Sequence, residues 1–439
     1  MFKTALIGYL LVCVSAIMAQ ENWTKYTENP VLRRDTVVTN FPNDIYAISD
    51  CFVLKDGGIY KMWYTCGGFN VPDDDYNLKS RICYCESENG IDWIKSEANP
   101  VVDIAYLDDI AWEKIAVETA TVLIDEEADP TQRYQMWYSG IGLIDGVYEI
   151  GHAVSADGLV WVKYWEPVLP IQSLESWDSG FLEGPSVIKN ETGYHMWYAA
   201  YDGYFNGQAT DGKVCIGYAT SDNGLDWVRY SDEPVMMPDA DSWESVYVQD
   251  PHVIYYNDQY HMWYGGVDHY DYFGQQVGYA VSDDGINWTK SAANPVLTLG
   301  EAGSWDANTS SFPSVLLDGN QLKMWYTGKS IEPLPEESLD YYWEIGYATG
   351  DEVVLTVEDN MEEMNWDISP NPFQNEIQID AGFPIAEIEL FSLQGTSVYS
   401  TIFSTAEKKL NTSFLPSGTY LLVIKTDNRC QSKLIMKAN

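Results

Sequence analysis

Met196-Trp197-Tyr198, followed by Ile216-Gly217-Tyr218-Ala219-Thr220 and by Ser221-Asp222-Asn223-Gly224-Leu225-Asp226-Trp227, is the stretch whose reading decides the fold. Short apolar runs bounded by turn residues are strands, and the Gly of Ser-x-x-Gly-x-x-Trp supplies the positive φ that a tight turn needs. Working outward, Met-Trp-Tyr recurs at Met62, Met136, Met262 and Met324, so the five copies are spaced by 74, 60, 66 and 62 residues. A period of about 65 residues is a repeat architecture. A second strand follows each copy, at 82–85, 150–154, 216–220, 277–281 and 345–349, and four copies continue into the turn at 87–93, 155–161, 221–227 and 282–288. In those four the Trp opens an outer strand that ends in a Pro-Val step at Pro100, Pro167, Pro234 and Pro295.

The fifth repeat stops after Thr349. The piece it lacks sits at the other end, where Trp23-Thr24-Lys25 and Asn29-Pro30-Val31-Leu32 match it. An N-terminal strand that completes the last repeat closes a ring, which predicts an all-β, five-bladed β-propeller of four-stranded blades over residues 20–350. The turn is one residue shorter between Ser and Gly than the Asp box of sialidases.

Composition narrows the partners. The 439 residues carry 66 Asp and Glu against 24 Lys and Arg, a formal charge of -42, and no clustered basic face to neutralise phosphates, so nucleic acid is excluded as a partner. The 17 Trp and 32 Tyr with a 46% hydrophobic fraction nonetheless give the chain a core to bury. Residues 1–19 read as a secretory signal peptide: Lys3, an apolar core, then Ala16-Ile17-Met18-Ala19 before Gln20. No other segment is apolar enough for a membrane span, so the expected location is secreted or cell surface.

Past a linker at 351–366, the repeats give way to Pro370-Asn371-Pro372-Phe373, Gly395 and Leu415-Pro416-Ser417-Gly418-Thr419-Tyr420. Residues 367–439 thereby resemble the type A C-terminal sorting domain of the Bacteroidetes type IX secretion system. The resemblance implies a small β-sandwich and the type IX secretion machinery as a partner.

Within the repeat, identical positions are scaffold and varying positions at the channel mouth are candidates for function. Met-Trp-Tyr is therefore read as packing, as are the pairs Trp112-Glu113, Trp177-Asp178, Trp243-Glu244 and Trp305-Asp306. The inner strands differ at their starts: Asp50-Cys51-Phe52-Val53, Glu118-Thr119-Ala120-Thr121-Val122, Glu183-Gly184-Pro185-Ser186-Val187, Asp250-Pro251-His252-Val253 and Ser311-Phe312-Pro313-Ser314-Val315. Four of the five are expected to place a carboxylate at one common point of the channel. Crowded carboxylates cannot all ionise cheaply, so at least one pKa is raised. A raised carboxyl as acid beside an ionised one as base or nucleophile is the equipment for cleaving a glycosidic bond, with no cofactor required.

The propeller is similar to the arabinanase, levansucrase and invertase superfamily, which includes glycoside hydrolase families 43, 32, 62 and 130. The resemblance implies a glycosidase with Asp50 as general base, Glu118 as pKa modulator and Glu183, in Glu-Gly-Pro, as general acid. Asp50-Cys51 replaces the usual Asp-Pro, the modulator is Glu where Asp is usual, and the Asp-Pro step falls in the fourth blade at Asp250-Pro251. The competing reading is a non-catalytic glycan-binding propeller with a central cation, for which a structural Ca2+ would suit an acidic channel.

Loops at 70–80, 202–213, 268–276 and 330–343 also reach the mouth and are rich in Tyr, Asp, Asn and Gln. Aromatic faces stack on sugar rings, while amides and carboxylates bond hydroxyls. Tyr201, Tyr204, Tyr270 and Trp343 are the expected platforms for a carbohydrate substrate, with Asp250 and His252 beside them. Phosphorolysis needs a phosphate site that the few basic residues of the mouth do little to build. Cys66 and Cys83, on adjacent strands of the first repeat, are expected to form a disulfide in an oxidising compartment. No Cys or His spacing marks a metal site.

Overall fold

The computed structural model describes residues 20–34, 47–69, 78–105, 112–142, 147–172, 176–201, 213–269, 273–330, 342–353, 366–381, 387–392, 397–402, 407–425 and 430–438. The expected signal peptide at 1–19 and the expected platforms Tyr204 and Tyr270 lie outside them. The chain divides into two compact units, 1–355 and 356–439. Among the described residues, the regular elements are strands apart from a three-residue 3-10 turn at Pro130–Gln132.

The first unit repeats one antiparallel pattern five times. Its inner strands are Ala47–Asp56, Ala116–Ile124, Phe181–Asn190, Tyr247–Tyr256 and Thr309–Asp318. Each pairs with a middle strand bearing Met-Trp-Tyr, which pairs with a third strand, which carries a short outer strand. The first inner strand lies beside the fifth, closing a ring. Trp23–Lys25 supplies the outer strand of the fifth unit by pairing with Tyr342–Glu352, and Leu32 bridges Ile345 at the place where Val102 bridges Ile82 and Leu297 bridges Val277.

The repeated aromatics clasp neighbouring blades. Each Trp of Met-Trp-Tyr is fully buried, and four of the five donate the indole N–H to the turn Gly carbonyl of the next blade: Trp63 to Gly158, Trp137 to Gly224, Trp197 to Gly285 and Trp325 to Gly90. Trp263 faces the blade with no such turn and donates to the Gln20 carbonyl at the N-terminus. Gly224 has φ +75°, and a Cβ added there would sit 2.9 Å from the Trp137 ring, so both backbone and packing require glycine.

The Tyr of the tripeptide bonds the buried acid of the Trp-acid pair, as in Tyr138 to Glu113 at 2.7 Å and Tyr264 to Glu244 at 2.6 Å. Lys163, Arg229, Lys290 and Lys25 neutralise those acids. Buried charge is tolerated because it is paired and hydrogen-bonded. Cys66 and Cys83 are disulfide-bonded, with Cα atoms 5.9 Å apart. Cys51, Cys85 and Cys215 are buried.

The second unit packs a three-stranded sheet and a four-stranded sheet around one core that includes Trp366, Phe373, Ile377, Leu390, Leu422 and Ile435. Phe373, the last residue of Pro-Asn-Pro-Phe, is fully buried. Its backbone bonds both sides of the C-terminal strand end, to Met436 and Ala438.

Candidate active site

All five inner strands break register at the same place. One extra residue intrudes between Ser49 and Phe52, Glu118 and Thr121, Glu183 and Ser186, Gln249 and His252, and Ser311 and Ser314. The bulged residues Asp50, Thr119, Gly184, Asp250 and Phe312 take φ between +49° and +59°, the left-handed region that non-glycine residues adopt only when held there. A bulge of this kind kinks the strand and re-aims its side chains.

The blade before holds three of these kinks. Asp50 N–H donates to Thr327 Oγ1 at 3.0 Å, Thr119 N–H to Thr65 Oγ1 at 3.1 Å, and Gly184 N–H to Ser139 Oγ at 3.2 Å. The residues matching Thr327, Thr65 and Ser139 in the third and fourth blades are Ala199 and Gly265, which have no hydroxyl.

The bulges correct the expectation of one common carboxylate position. Asp50 and Asp250 occupy the bulge itself, whereas Glu118 and Glu183 stand one residue earlier, level with Ser49, Gln249 and Ser311. The offset was countable: Asp50 and Asp250 precede the inner-strand Val by three residues, and Glu118 and Glu183 by four. The acids thus form two tiers.

Electrostatics tie the tiers together. Burial raises the Asp50 carboxyl to about 6, against the Ser49 and Thr65 hydroxyls that donate to its ionised form. The Ser49 bond is 3.0 Å. Burial and then the Asp50 charge push Glu118 up to about 7, opposed by bonds from Tyr148 and Ser80. Glu183 rises well above the usual carboxylate range through burial and then the charges of Asp250, Glu118 and Asp50. Asp250 also rises, through burial and the Asp50 charge, despite the Gln249 amide 2.9 Å away. Asp50 is therefore the first of the four to ionise, and its charge helps to keep the others protonated.

The bulge residues and those just after them line an open pocket of about 40 Å³ that includes Asp50, Thr119, Gly184, Asp250, His252 and Phe312, among others, room enough for water. His252 belongs to the deeper wall. Its Nε2 lies 2.9 Å from the Val315 carbonyl, its ring packs 5.5 Å from Phe52, and burial lowers its pKa to about 4, so it is neutral.

Of the aromatic platforms, Tyr201 ends a middle strand with its ring 4.4 Å from Phe181, and Phe181 leans edge-on against Tyr148. Trp343 stands edge-on to Phe312 at 6.1 Å, with the Lys329 ammonium 4.4 Å from its ring. Sequence reasoning missed Tyr148 and Ser80, which bond Glu118. Both stand two residues before the recurring Ile or Val of the third strand, a position also held by Val214, Gln275 and Trp343.

Among the described residues, no group of three or more His, Cys, Asp and Glu could hold a metal ion. The calcium reading therefore gains no ligand set there.

Fold and site together define a β-propeller with carboxyls from four inner strands gathered at one mouth. Residues 131–292 match the model of the glycosyl hydrolases family 32 N-terminal domain, and residues 367–437 that of the secretion system C-terminal sorting domain. The chain is 28% identical over 204 residues to an uncharacterized protein of Mycobacterium tuberculosis, covering 46% of this chain and 57% of that one. It is 29% identical over 130 residues to a β-1,2-mannobiose phosphorylase of Thermoanaerobacter, covering 28% and 42%. The chain thus spans about half the length of the curated relatives it matches. Among solved structures, a putative glycoside hydrolase from Parabacteroides distasonis superposes with a TM-score of 0.57 at 16% identity, covering 77% of this chain and 99% of that one. A structure described with the family 130 mannoside phosphorylases and the hydrolases among them that target β-1,2 mannosidic linkages in Candida mannan gives 0.56 at 15%, covering 75% and 93%. The fold of the first unit is that of the propeller glycoside hydrolases. The described residues contain no helix long and apolar enough to cross a membrane.

Proposed function

We propose that this chain is an exported glycoside hydrolase, cleaving glycosidic bonds of a poly- or oligosaccharide at the mouth of a five-bladed propeller. The observation that carries the reading is the split in protonation across four neighbouring carboxyls, with Asp50 at about 6 and Glu183 well above its ordinary range. Near neutral pH the ionised Asp50 serves as base and the protonated Glu183 delivers a proton to the leaving oxygen. Glu118, itself raised by the Asp50 charge, helps to raise Glu183 and is the modulator. Asp250, Tyr201 and Trp343 contact the sugar. Residues 1–19 act as the leader and residues 367–439 as the address for type IX secretion, as in Bacteroidetes.

The likeness to a mannobiose phosphorylase favours one second reading, in which phosphate replaces water as the attacking group. Incubation of the mature chain with plant, algal and fungal polysaccharides, with and without inorganic phosphate and beside Glu183→Gln, tests both. Hydrolysis releases free sugar without phosphate and is lost in the variant, while phosphorolysis yields a sugar phosphate only when phosphate is added. Binding without release, unchanged in the variant, would make the mouth a glycan-binding module.

A further inference from the structure

The five-fold repeat lets one part of the mouth be compared with another. Between the first and second blades stand Asp50, Thr65 and Ser80 facing Glu118 and Tyr148, and their polar groups bond one another. The same positions between the fourth and fifth blades hold Asp250, Gly265 and Gln275 facing Ser311 and Trp343.

Here the polar groups are not satisfied. Gln275 is 1% exposed and Ser311 fully buried, yet neither amide atom of Gln275 nor the Ser311 hydroxyl has a partner. Native proteins rarely leave buried polar atoms without partners. Gly265 lets Ser311 come close to its backbone, because a Cβ there would lie 2.4 Å from Ser311 Oγ and 3.5 Å from Asp250 Oδ2. Trp343 replaces the phenol of Tyr148 with an indole face near Phe312. The interface thus combines an amide donor and acceptor, a hydroxyl, a carboxyl and an aromatic face, which together match vicinal sugar hydroxyls and an apolar ring face.

We propose that Gln275 and Ser311 form a sugar-binding subsite with Asp250 and Trp343, so that the fourth and fifth blades hold the sugar while the first three carry out the chemistry. This rests on the carbohydrate reading above. Binding of arabinobiose, kestose and β-1,2-mannobiose is to be measured by calorimetry on the mature chain carrying Glu183→Gln, so that no turnover is required. Gln275→Leu and Ser311→Ala are then added singly to that background.

The expected result is that a sugar binds and that each addition weakens it by roughly tenfold, the loss of one or two hydrogen bonds. Gln275→Leu removes the orphan amide and should melt no lower than its parent, which separates lost binding from lost folding. Thr192→Ala, in the exposed turn at the far end of the third inner strand, should change affinity by less than about twofold. Sugar binding that both Gln275→Leu and Ser311→Ala leave unchanged would overturn the subsite while leaving the carbohydrate reading intact. No binding of any of the three sugars by the parent would count against the carbohydrate reading itself, and the subsite with it.

Discussion

At the scale of single residues, the mouth is governed by which carboxyl ionises first. Ser49 and Thr65 hydroxyls favour the ionised form of Asp50, so removing one raises its pKa. Ser49→Ala is expected to move the acid limb of the pH–activity profile from about pH 6 to higher pH, with little change at its alkaline end. An acid limb that stays in place would remove Asp50 from the base role. Stability follows the same groups. A carboxyl raised in the folded chain holds its proton more tightly there than when unfolded. Its contribution is complete below the ordinary carboxylate range and is lost as pH rises through about 6 for Asp50 and about 7 for Glu118. Asp50→Asn is therefore expected to stabilise the propeller by about 1–3 kcal/mol at pH 8 and by much less at pH 4.5, while losing activity. Thermal melts at the two pH values check this, and equal shifts at both would contradict it.

At the scale of elements, the strands and turns were legible because five copies repeat the strands and four the turn. Met-Trp-Tyr and Ser-x-x-Gly-x-x-Trp could be recognised as scaffold before their bonds were known, since a repeated residue serves what every blade needs. The bulges were harder to see. A single extra residue shifts which side chain meets the channel, and aligning Asp50 with Glu118 by their charge hid the three-residue and four-residue spacings to Val53 and Val122. Tyr148 went unnoticed, and Ser80 and Gln275 were read only as parts of mouth loops, because each stands alone in its chemistry and only strand register brings them to one level. The interlocking turns give a direct test. Gly57 has φ +58° and open space around it, whereas Gly224 has φ +75° and the Trp137 ring 2.9 Å from an added Cβ. Substitution by Ala is expected to cost about 1 kcal/mol at Gly57 and about 3 kcal/mol at Gly224, where overpacking adds to backbone strain. Urea denaturation of both variants checks the difference, and equal costs would deny the clasp its role.

At the scale of the whole molecule, the ring is closed by its own N-terminal strand. Trp23–Lys25 completes the last blade, the Gln20 carbonyl takes the indole that a fifth turn would have taken, and Lys25 pairs with the buried Asp306 at 2.6 Å. Closure holds five inner strands in register, so that carboxyls from distant parts of the chain share one mouth and perturb one another. The sequence announced this convergence through the places where its repeats disagree, but the order of ionisation depends on hydroxyls donated from neighbouring strands and required the fold. The central claim is that Glu183 supplies the proton and Asp50 the base. Once the polysaccharide panel has identified a released sugar, its dinitrophenyl glycoside provides a substrate whose leaving group needs no proton. Rates of Glu183→Gln and Asp50→Asn on the polysaccharide and on this glycoside are the deciding measurement. Glu183→Gln should lose about 10²–10⁴-fold on the polysaccharide and stay within about tenfold of the parent on the glycoside, whereas Asp50→Asn should lose both. A Glu183→Gln variant that hydrolyses the polysaccharide as fast as the parent would contradict the assignment.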